Sequence, residues 1–408
     1  MLDEKQKLNQ IIGLSQEIAR VNDLDILLEH ILTVACQFAN ADAGSIYMME
    51  GNQLKFSYTL NNTLQKRLQP GQKLIYSTFT TPIDNDSICG YVAGTGEMLD
   101  IPDVYELKPN VPYAFNRNFD ELSRYRTRSM LTFPMKNLMG QVIGVLQLIN
   151  SMDSDGNIVP FSKDDEQYIV HFANNAAIAI ERAMLTRDTI LRMIRMAELR
   201  DPKETGAHAN RVAGYSVEIY EVWANGRGIA GEEIAKNKDI LRIAAMLHDV
   251  GKVAISDVIL KKPARLDPEE YEIMKTHTHI AASLFSESRT DLDHASAQIA
   301  LCHHERWDGK GYPGYVDVMT GETLPGYHTL DGKPVGRKGE EIPLFGRIVA
   351  VADVYDALST QRVYKEPWDQ QLVLDEMKSQ RGKQFDPEII DAFFVALDSI
   401  QAVGKRYV

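Results

Sequence analysis

The chain has 408 residues, 44% of them hydrophobic and 25% charged, and its net charge is −13. That leaves room for two or three ordinary globular domains, and an acidic chain without a basic patch argues against a surface for duplex DNA or RNA. Cys36, Cys89 and Cys302 lack Cys-x-x-Cys spacing, no charged-then-apolar leader is present, and no run reaches the roughly 18 apolar residues of a membrane span. The expectation is a cytoplasmic protein with reduced thiols and no membrane partner.

Residues 2–20 read as a helix with Leu8, Ile11, Ile12, Ile18 and Ala19 on one side, and a second helix follows from Asp25 to about Ala39. The period then changes. Ala43–Met49 and Leu54–Tyr58 predict a strand hairpin, and Leu131–Lys136 and Val142–Ile149 predict two more strands. A short helix is expected at Ser87–Gly96 and an irregular, ligand-covering loop over residues 100–130. Together these elements predict an antiparallel sheet flanked by helices, an α+β domain.

Residues 22–183 resemble a GAF domain, a small-molecule sensor. The matching pieces include Ala41-Asp42-Ala43-Gly44-Ser45-Ile46-Tyr47, Leu99-Asp100-Ile101-Pro102-Asp103-Val104 and Gly144–Asn150. The resemblance extends to a cyclic-nucleotide-binding signature at Asn150, Phe161, Asp165 and Glu166, with Ser151 where that signature has Lys. It implies a cyclic nucleotide or another small ligand in this domain.

One long helix is predicted over residues 162–200. Ile169, Ala173, Ala176, Ile180, Ala183, Ile190, Ile194 and Ala197 recur at three- or four-residue spacing, a coiled-coil-like seam. The first half reads as packed on its own sheet. The second half, with no domain apparent for it to pack on, predicts a parallel homodimer through residues 162–199.

Asp201-Pro202 ends or kinks that helix. Beyond it, Leu241–Lys252 opens as a helix with one apolar face, presents His248 and Asp249 near its end, and is expected to stop at Gly251. Helices are also expected from Asp267-Pro268, over residues 293–305, over residues 344–360, and in two closing segments at 370–379 and 387–400. Residues 314–338 read as an inserted polar loop.

The unusual side chains of this half are Glu204, His208, His248, Asp249, His277, His303, His304 and Asp353, on or at the ends of successive helices. A buried carboxylate or imidazole needs a partner or an ion, and helix bundles build metal sites from side chains of facing helices. Eight ligands suit two or three ions. Mixed imidazole and carboxylate ligation without thiolate points to Fe first and Mn next. His279 competes with His277 for one ligand position.

Residues 190–400 resemble the HD-GYP family, phosphodiesterases of the HD superfamily that hydrolyse cyclic di-GMP. The resemblance rests on Glu204-x-x-x-His208-x-x-Arg211, His248-Asp249-x-Gly251-Lys252, His303-His304-Glu305-x-x-Asp308-Gly309-x-Gly311-Tyr312-Pro313, Asp353-x-x-Asp356 and Phe385-Asp386-Pro387. The family's His-x-x-x-Gly is His277-x-x-x-Ala281 here. The resemblance implies an all-α bundle over residues 201–408 and makes the eight side chains above metal ligands, with Asp249 bridging and Glu204 serving a third ion. It places Lys252 on the scissile phosphate and Arg362 and Lys365 on the other substrate phosphates. The activity implied is hydrolysis of cyclic di-GMP to pGpG or GMP. The alternatives are a cyclic-dinucleotide receptor with little turnover and a hydrolase of another cyclic dinucleotide such as cyclic GMP-AMP.

Overall fold

The computed structural model describes residues 12–13, 15–68, 79–198, 206–287, 290–360 and 369–407. The chain divides into two compact units, residues 1–187 and 188–408.

The first unit is built on an antiparallel sheet. Its strands are β1 (Ala41–Glu50), β2 (Gln53–Asn61), β3 (Thr80–Pro82), β4 (Leu99–Ile101), β5 (Met130–Lys136), β6 (Val142–Met152) and β7 (Ile158–Val159), in the order β3-β2-β1-β6-β5-β4, with β7 on β6. Side chains alternate across a strand, and both faces are covered. Ile46, Met48, Leu146 and Leu148 enter the core formed with α1 (Leu24–Phe38), while Tyr47, Phe56 and Val145 form a smaller cluster on the other side. The Asp23 carboxylate caps α1 by accepting from the Asp25 and Ile26 N–H groups. Two very short helices, α2 (Asn62–Gln65) and α4 (Asn118–Ser123), flank α3 (Ile88–Thr95), which packs on β5 and β6. The predicted hairpin, the second strand pair and α3 are all present. β3, β4 and β7 have three, three and two residues, too short for an alternating pattern to register.

Helix α5 (Lys163–Glu198) runs from the first unit into the second. Ile169, Ala173, Ala176, Ile180 and Ala183 are buried in the core of the first unit. Ile190 and Ile194 are buried in the core of the second, which corrects the expectation that this half of the helix has no domain to pack on. The helix also exposes Ile178, Leu185, Met193 and Met196, so a dimer seam would have to use that other face.

The second unit is helical: α6 (Gly206–Gly226), α7 (Gly231–Met246), α8 (Asp257–Leu260), α9 (Pro268–Lys275), α10 (His277–Ser283), α11 (Asp291–Cys302), α12 (Leu344–Ser359), α13 (Gln370–Ser379), α14 (Pro387–Val395) and α15 (Leu397–Arg406). α6 packs against α7, α12, α14 and α15, and α11 packs against α7, α10 and α12. Val212, Leu241, Ala244, Ile299, Ile348 and Ala352 join those helices in one core. No described helix is long and apolar enough to cross a membrane. All three cysteines are buried and free.

Candidate metal centre

Helix ends build this site. α7 stops at Met246, five residues before Gly251, and His248 and Asp249 lie in the turn that follows. His248 Nδ1 lies 2.8 Å from the Ala245 carbonyl, His277 Nδ1 2.7 Å from that of Met274, and His303 Nδ1 3.0 Å from that of Ala300. A carbonyl only accepts, so Nδ1 carries the proton in each ring. In each case the imidazole takes the carbonyl three residues back, which a continuing helix would give to the next residue's N–H. The side chain competes with the helical ladder and ends it. The fixed Nδ1–H then turns Nε2 towards a common centre, the arrangement that orients imidazole ligands in metal sites.

His208 is aimed differently. Its Nδ1 lies 2.8 Å from Asp356 Oδ2, and its Nε2 is 3.6 Å from Asp353 Oδ1. Asp356 is gripped by Arg211, whose Nε and Nη2 donate at 2.7 and 2.9 Å. His208 and Arg211 are three residues apart on α6, and Asp353 and Asp356 three apart on α12, so two one-turn pairs on packed helices interlock. Burial opposes ionisation of Asp356, but the hydrogen bonds from His208 and Arg211 lower its pKa to about 2.

Asp249 stands between two sets. Its Oδ1 is 3.2 Å from His277 Nε2 and 3.6 Å from His303 Nε2, while its Oδ2 is 3.1 Å from His248 Nε2 and 2.7 Å from Lys252 Nζ. The donor atoms of Asp249, His277, His303 and His304 lie within 4.8 Å of one another, as do those of His208, His248 and Asp353. Burial works against the Asp249 charge, yet Lys252 and His248 hold its carboxyl well below the usual range. Burial keeps His303 and His304 below the ordinary imidazole range, and the neighbouring His303 and His277 rings lower His304 further. Both rings therefore offer lone pairs at neutral pH.

These residues fit a pair of divalent ions. Nε2 of His277 and of His303 and Oδ1 of Asp249 are buried without a well-directed hydrogen bond, an arrangement that a protein rarely tolerates unless something else satisfies the atoms. The donors are nitrogen and oxygen only. One set of four and one of three, with the Asp249 carboxylate facing both, offers two positions with a shared bridge.

Gly251 sits where a Cβ would fall 2.0 Å from the His277 carbonyl oxygen and 2.9 Å from Ala281 Cβ. Gly251 thus allows the two segments to approach closely, and Ala281 is fully buried beside it. His279 belongs to neither set: its Nδ1 lies 3.3 Å from the Val318 carbonyl and its ring packs on Gly321. Glu204, Arg362 and Lys365 lie outside the described residues, as do residues 2–11 and the side chains of Asp165 and Glu166.

Sequence reasoning left Asp356 without a role, although its three-residue spacing from Asp353 repeats that of His208 and Arg211. It also missed what Glu305 does. Its Oε1 accepts from the Gly314 N–H at 2.7 Å and its Oε2 from the Arg337 N–H at 3.2 Å, so one carboxylate fastens both ends of the segment 314–338. Burial raises the Glu305 pKa to about 7, against those two N–H groups and Arg337.

The first unit holds a cavity of about 680 Å³ lined by Phe56, Phe79, Phe115, Thr59, Gln147 and Asp84 among others, with no lysine, arginine or histidine among its described lining residues. Asn150, with φ of 56°, braces the loop beside it. Its Nδ2 donates to Tyr125 Oη and the Arg126 carbonyl, and its Oδ1 accepts from the Arg128 N–H. Ser151 is equally engaged, donating to the Ala39 carbonyl.

With this geometry in place, comparison with known proteins gives the class. Residues 23–180 match the GAF domain and residues 205–358 the HD domain. The chain joins a GAF domain to an HD domain that carries the HD-GYP motif. It is 33% identical to 3'3'-cGAMP-specific phosphodiesterase 2 of Vibrio cholerae over 56% of this chain and 38% of that protein. It is 38% identical to a cyclic di-GMP phosphodiesterase of Thermotoga maritima, over 52% and 49% of the respective chains. It is 39% identical to the cyclic di-GMP phosphodiesterase response regulator RpfG of Xanthomonas campestris, over 54% and 50%. The chain thus spans half or less of the length of these relatives.

Proposed function

We propose that the chain is a metal-dependent phosphodiesterase that hydrolyses cyclic di-GMP to pGpG or on to GMP. The observation that carries this reading is the Asp249 carboxylate, which turns one oxygen to His277 and His303 and the other to His248. His208, His248, Asp249, His277, His303, His304 and Asp353 would hold two ions, Fe first and Mn next, and Glu204 a third. Ions bound there supply Lewis acidity, polarising a phosphoryl oxygen and acidifying water.

The protein's own groups do the rest. Asp249 stays ionised, and Lys252, 2.7 Å from it, brings an ammonium to the rim where it can swing to a phosphate oxygen. Arg362 and Lys365 are assigned to the remaining phosphate charge. The GAF cavity is the regulatory site. It is assigned a cyclic nucleotide or another small ligand, held among aromatic and polar side chains such as Phe56, Phe115, Thr59 and Gln147. A parallel homodimer through the exposed face of α5 and a cytoplasmic location complete the reading.

A second substrate, cyclic GMP-AMP, is supported by the name of the Vibrio cholerae relative, and a receptor with little turnover is the third reading. The test is hydrolysis of cyclic di-GMP by anaerobically purified, Fe- or Mn-loaded protein, with metal content measured on the same sample. Turnover that disappears in His248→Ala/Asp249→Ala, with two or three metals per wild-type chain, is the expected result. A fully metallated protein that turns over no cyclic dinucleotide would sink the enzyme reading and favour the receptor.

A further inference from the structure

Helix α9 carries three side chains that the chemistry above does not use. The helix buries none of its residues. It is started locally, by a capping box between Asp267 and Glu270 with Pro268 in the first turn, so its outward face is not committed to the core. Its C-terminus leads through Thr276 directly to His277.

Tyr271 is 45% exposed. Its ring stands edge-on to Tyr312, with centroids 6.0 Å apart and planes at 78°. Tyr312 in turn stacks on His304 at 4.8 Å and 27°. Lys275 Nζ lies 4.8 Å from the Tyr271 centroid and 5.6 Å from that of Tyr312. Glu272 Oε1 accepts from Lys275 Nζ at 2.9 Å and faces Lys333 Nζ, from the segment 314–338, at 3.6 Å. One helical turn therefore presents a half-exposed aromatic face, a carboxylate and an ammonium, one ring removed from His304.

An exposed ion pair three residues apart on a helix contributes little to stability. As a recognition surface the same groups are specific. Guanine carries N1–H and N2–H donors side by side, with O6 and N7 acceptors next to them. A carboxylate takes the donors, an ammonium serves the acceptors, and an exposed tyrosine stacks on the ring. Adenine keeps the N7 acceptor, but its N1 lone pair repels the carboxylate and its N6 donor opposes the ammonium where guanine has O6.

We propose that Tyr271, Glu272 and Lys275 form a guanine-reading subsite for a base of the cyclic dinucleotide. The proposal rests on the reading of the centre as a cyclic-dinucleotide site. Tyr271 stacks on the base, Glu272 accepts from its Watson–Crick edge, and Lys275 donates to O6 and N7. Lys333 ties the segment 314–338 to the same carboxylate and so adjusts the subsite from outside.

The experiment is steady-state hydrolysis of cyclic di-GMP and cyclic di-AMP by the metal-loaded full chain and by Glu272→Gln, Lys275→Met, Tyr271→Ala and Tyr271→Phe. Metal content and melting curves serve as folding controls. Glu272→Gln and Lys275→Met should each raise KM for cyclic di-GMP about tenfold with kcat within about twofold, and shrink the preference over cyclic di-AMP by the same factor. Tyr271→Ala should raise KM by about five- to a hundredfold for either base, and Tyr271→Phe should restore it. A surface ion pair with a merely structural role would leave KM and base preference untouched, and that outcome overturns the subsite. Should the wild type bind but not hydrolyse, the enzyme reading fails by itself. The subsite is then read by calorimetric titration of both dinucleotides into wild type and Glu272→Gln. A guanine preference lost in the variant supports it, and equal affinities, or no binding at all, overturn it.

Discussion

The two units treat buried polar groups in opposite ways. Around the cavity of the first, Asn150 uses both ends of its amide on Tyr125, Arg126 and Arg128, and Tyr125 Oη goes on to donate to Asp42 Oδ2 at 2.8 Å. In the second, each of His248, His277 and His303 uses only Nδ1 on the backbone and turns Nε2 towards Asp249. A region whose polar groups are fully paired selects a ligand by shape. A region whose imidazole Nε2 atoms converge on one carboxylate selects by charge and coordination.

That contrast can be broken on either side. The largest effect is expected at Asp356. Asp356→Asn leaves the part-buried Arg211 without the buried carboxylate it grips, and removing one partner of a buried pair costs about 3–5 kcal/mol. Hydrogen exchange over α6 and α12 should report the loss there and not over the sheet. The same residue sets a pH limit. With its folded pKa lowered to about 2, the carboxylate stabilises the second unit above an unfolded value near 4. That contribution, roughly 2 kcal/mol, disappears as pH falls from about 4 to about 2. Acid melts of the wild type should lose stability through that window, and Asp356→Asn should lack this component.

Gly251→Ala comes next. The added methyl meets the His277 carbonyl oxygen at 2.0 Å, and overpacking of this kind costs about 1–3 kcal/mol. Because the displaced segment carries His277, metal occupancy should fall along with stability. Metal analysis of the purified variant checks this, and full occupancy would show that His277 does not contribute a ligand.

The smallest effect belongs to the first unit. Asn150→Ala removes three hydrogen bonds from a residue with positive φ and should destabilise the sheet by about 1–3 kcal/mol. Metal content of the second unit should remain unchanged. A loss of metal on this substitution would mean that Asn150 does more than brace its own loop.

Much of this was legible in the chain. The α+β organisation and the β1–β2 hairpin follow from apolar periodicity, and seven of the eight side chains singled out in the sequence come together in two groups. Two things were hidden for physical reasons. The helix ending at Met246 could not be read from Leu241–Lys252, because Gly251 looked like the natural stop. The actual terminator is a side chain, His248, drawing on the Ala245 carbonyl. The burial of Ile190 and Ile194 was equally out of reach, since the helical period of α5 is the same whether its partner is a second chain or the bundle that follows.

Glu305 has a consequence for how variation enters this protein. With one carboxylate oxygen on Gly314 and the other on Arg337, the segment between them leaves and re-enters the domain at a single point, like a pendant on one ring. The entropy of closing such a loop grows only slowly with its length. Residues can therefore be gained, lost or exchanged between these two attachment points without displacing His303 and His304, which immediately precede Glu305. The segment is in this sense a replaceable part of the second unit, hung from the residue that follows His304.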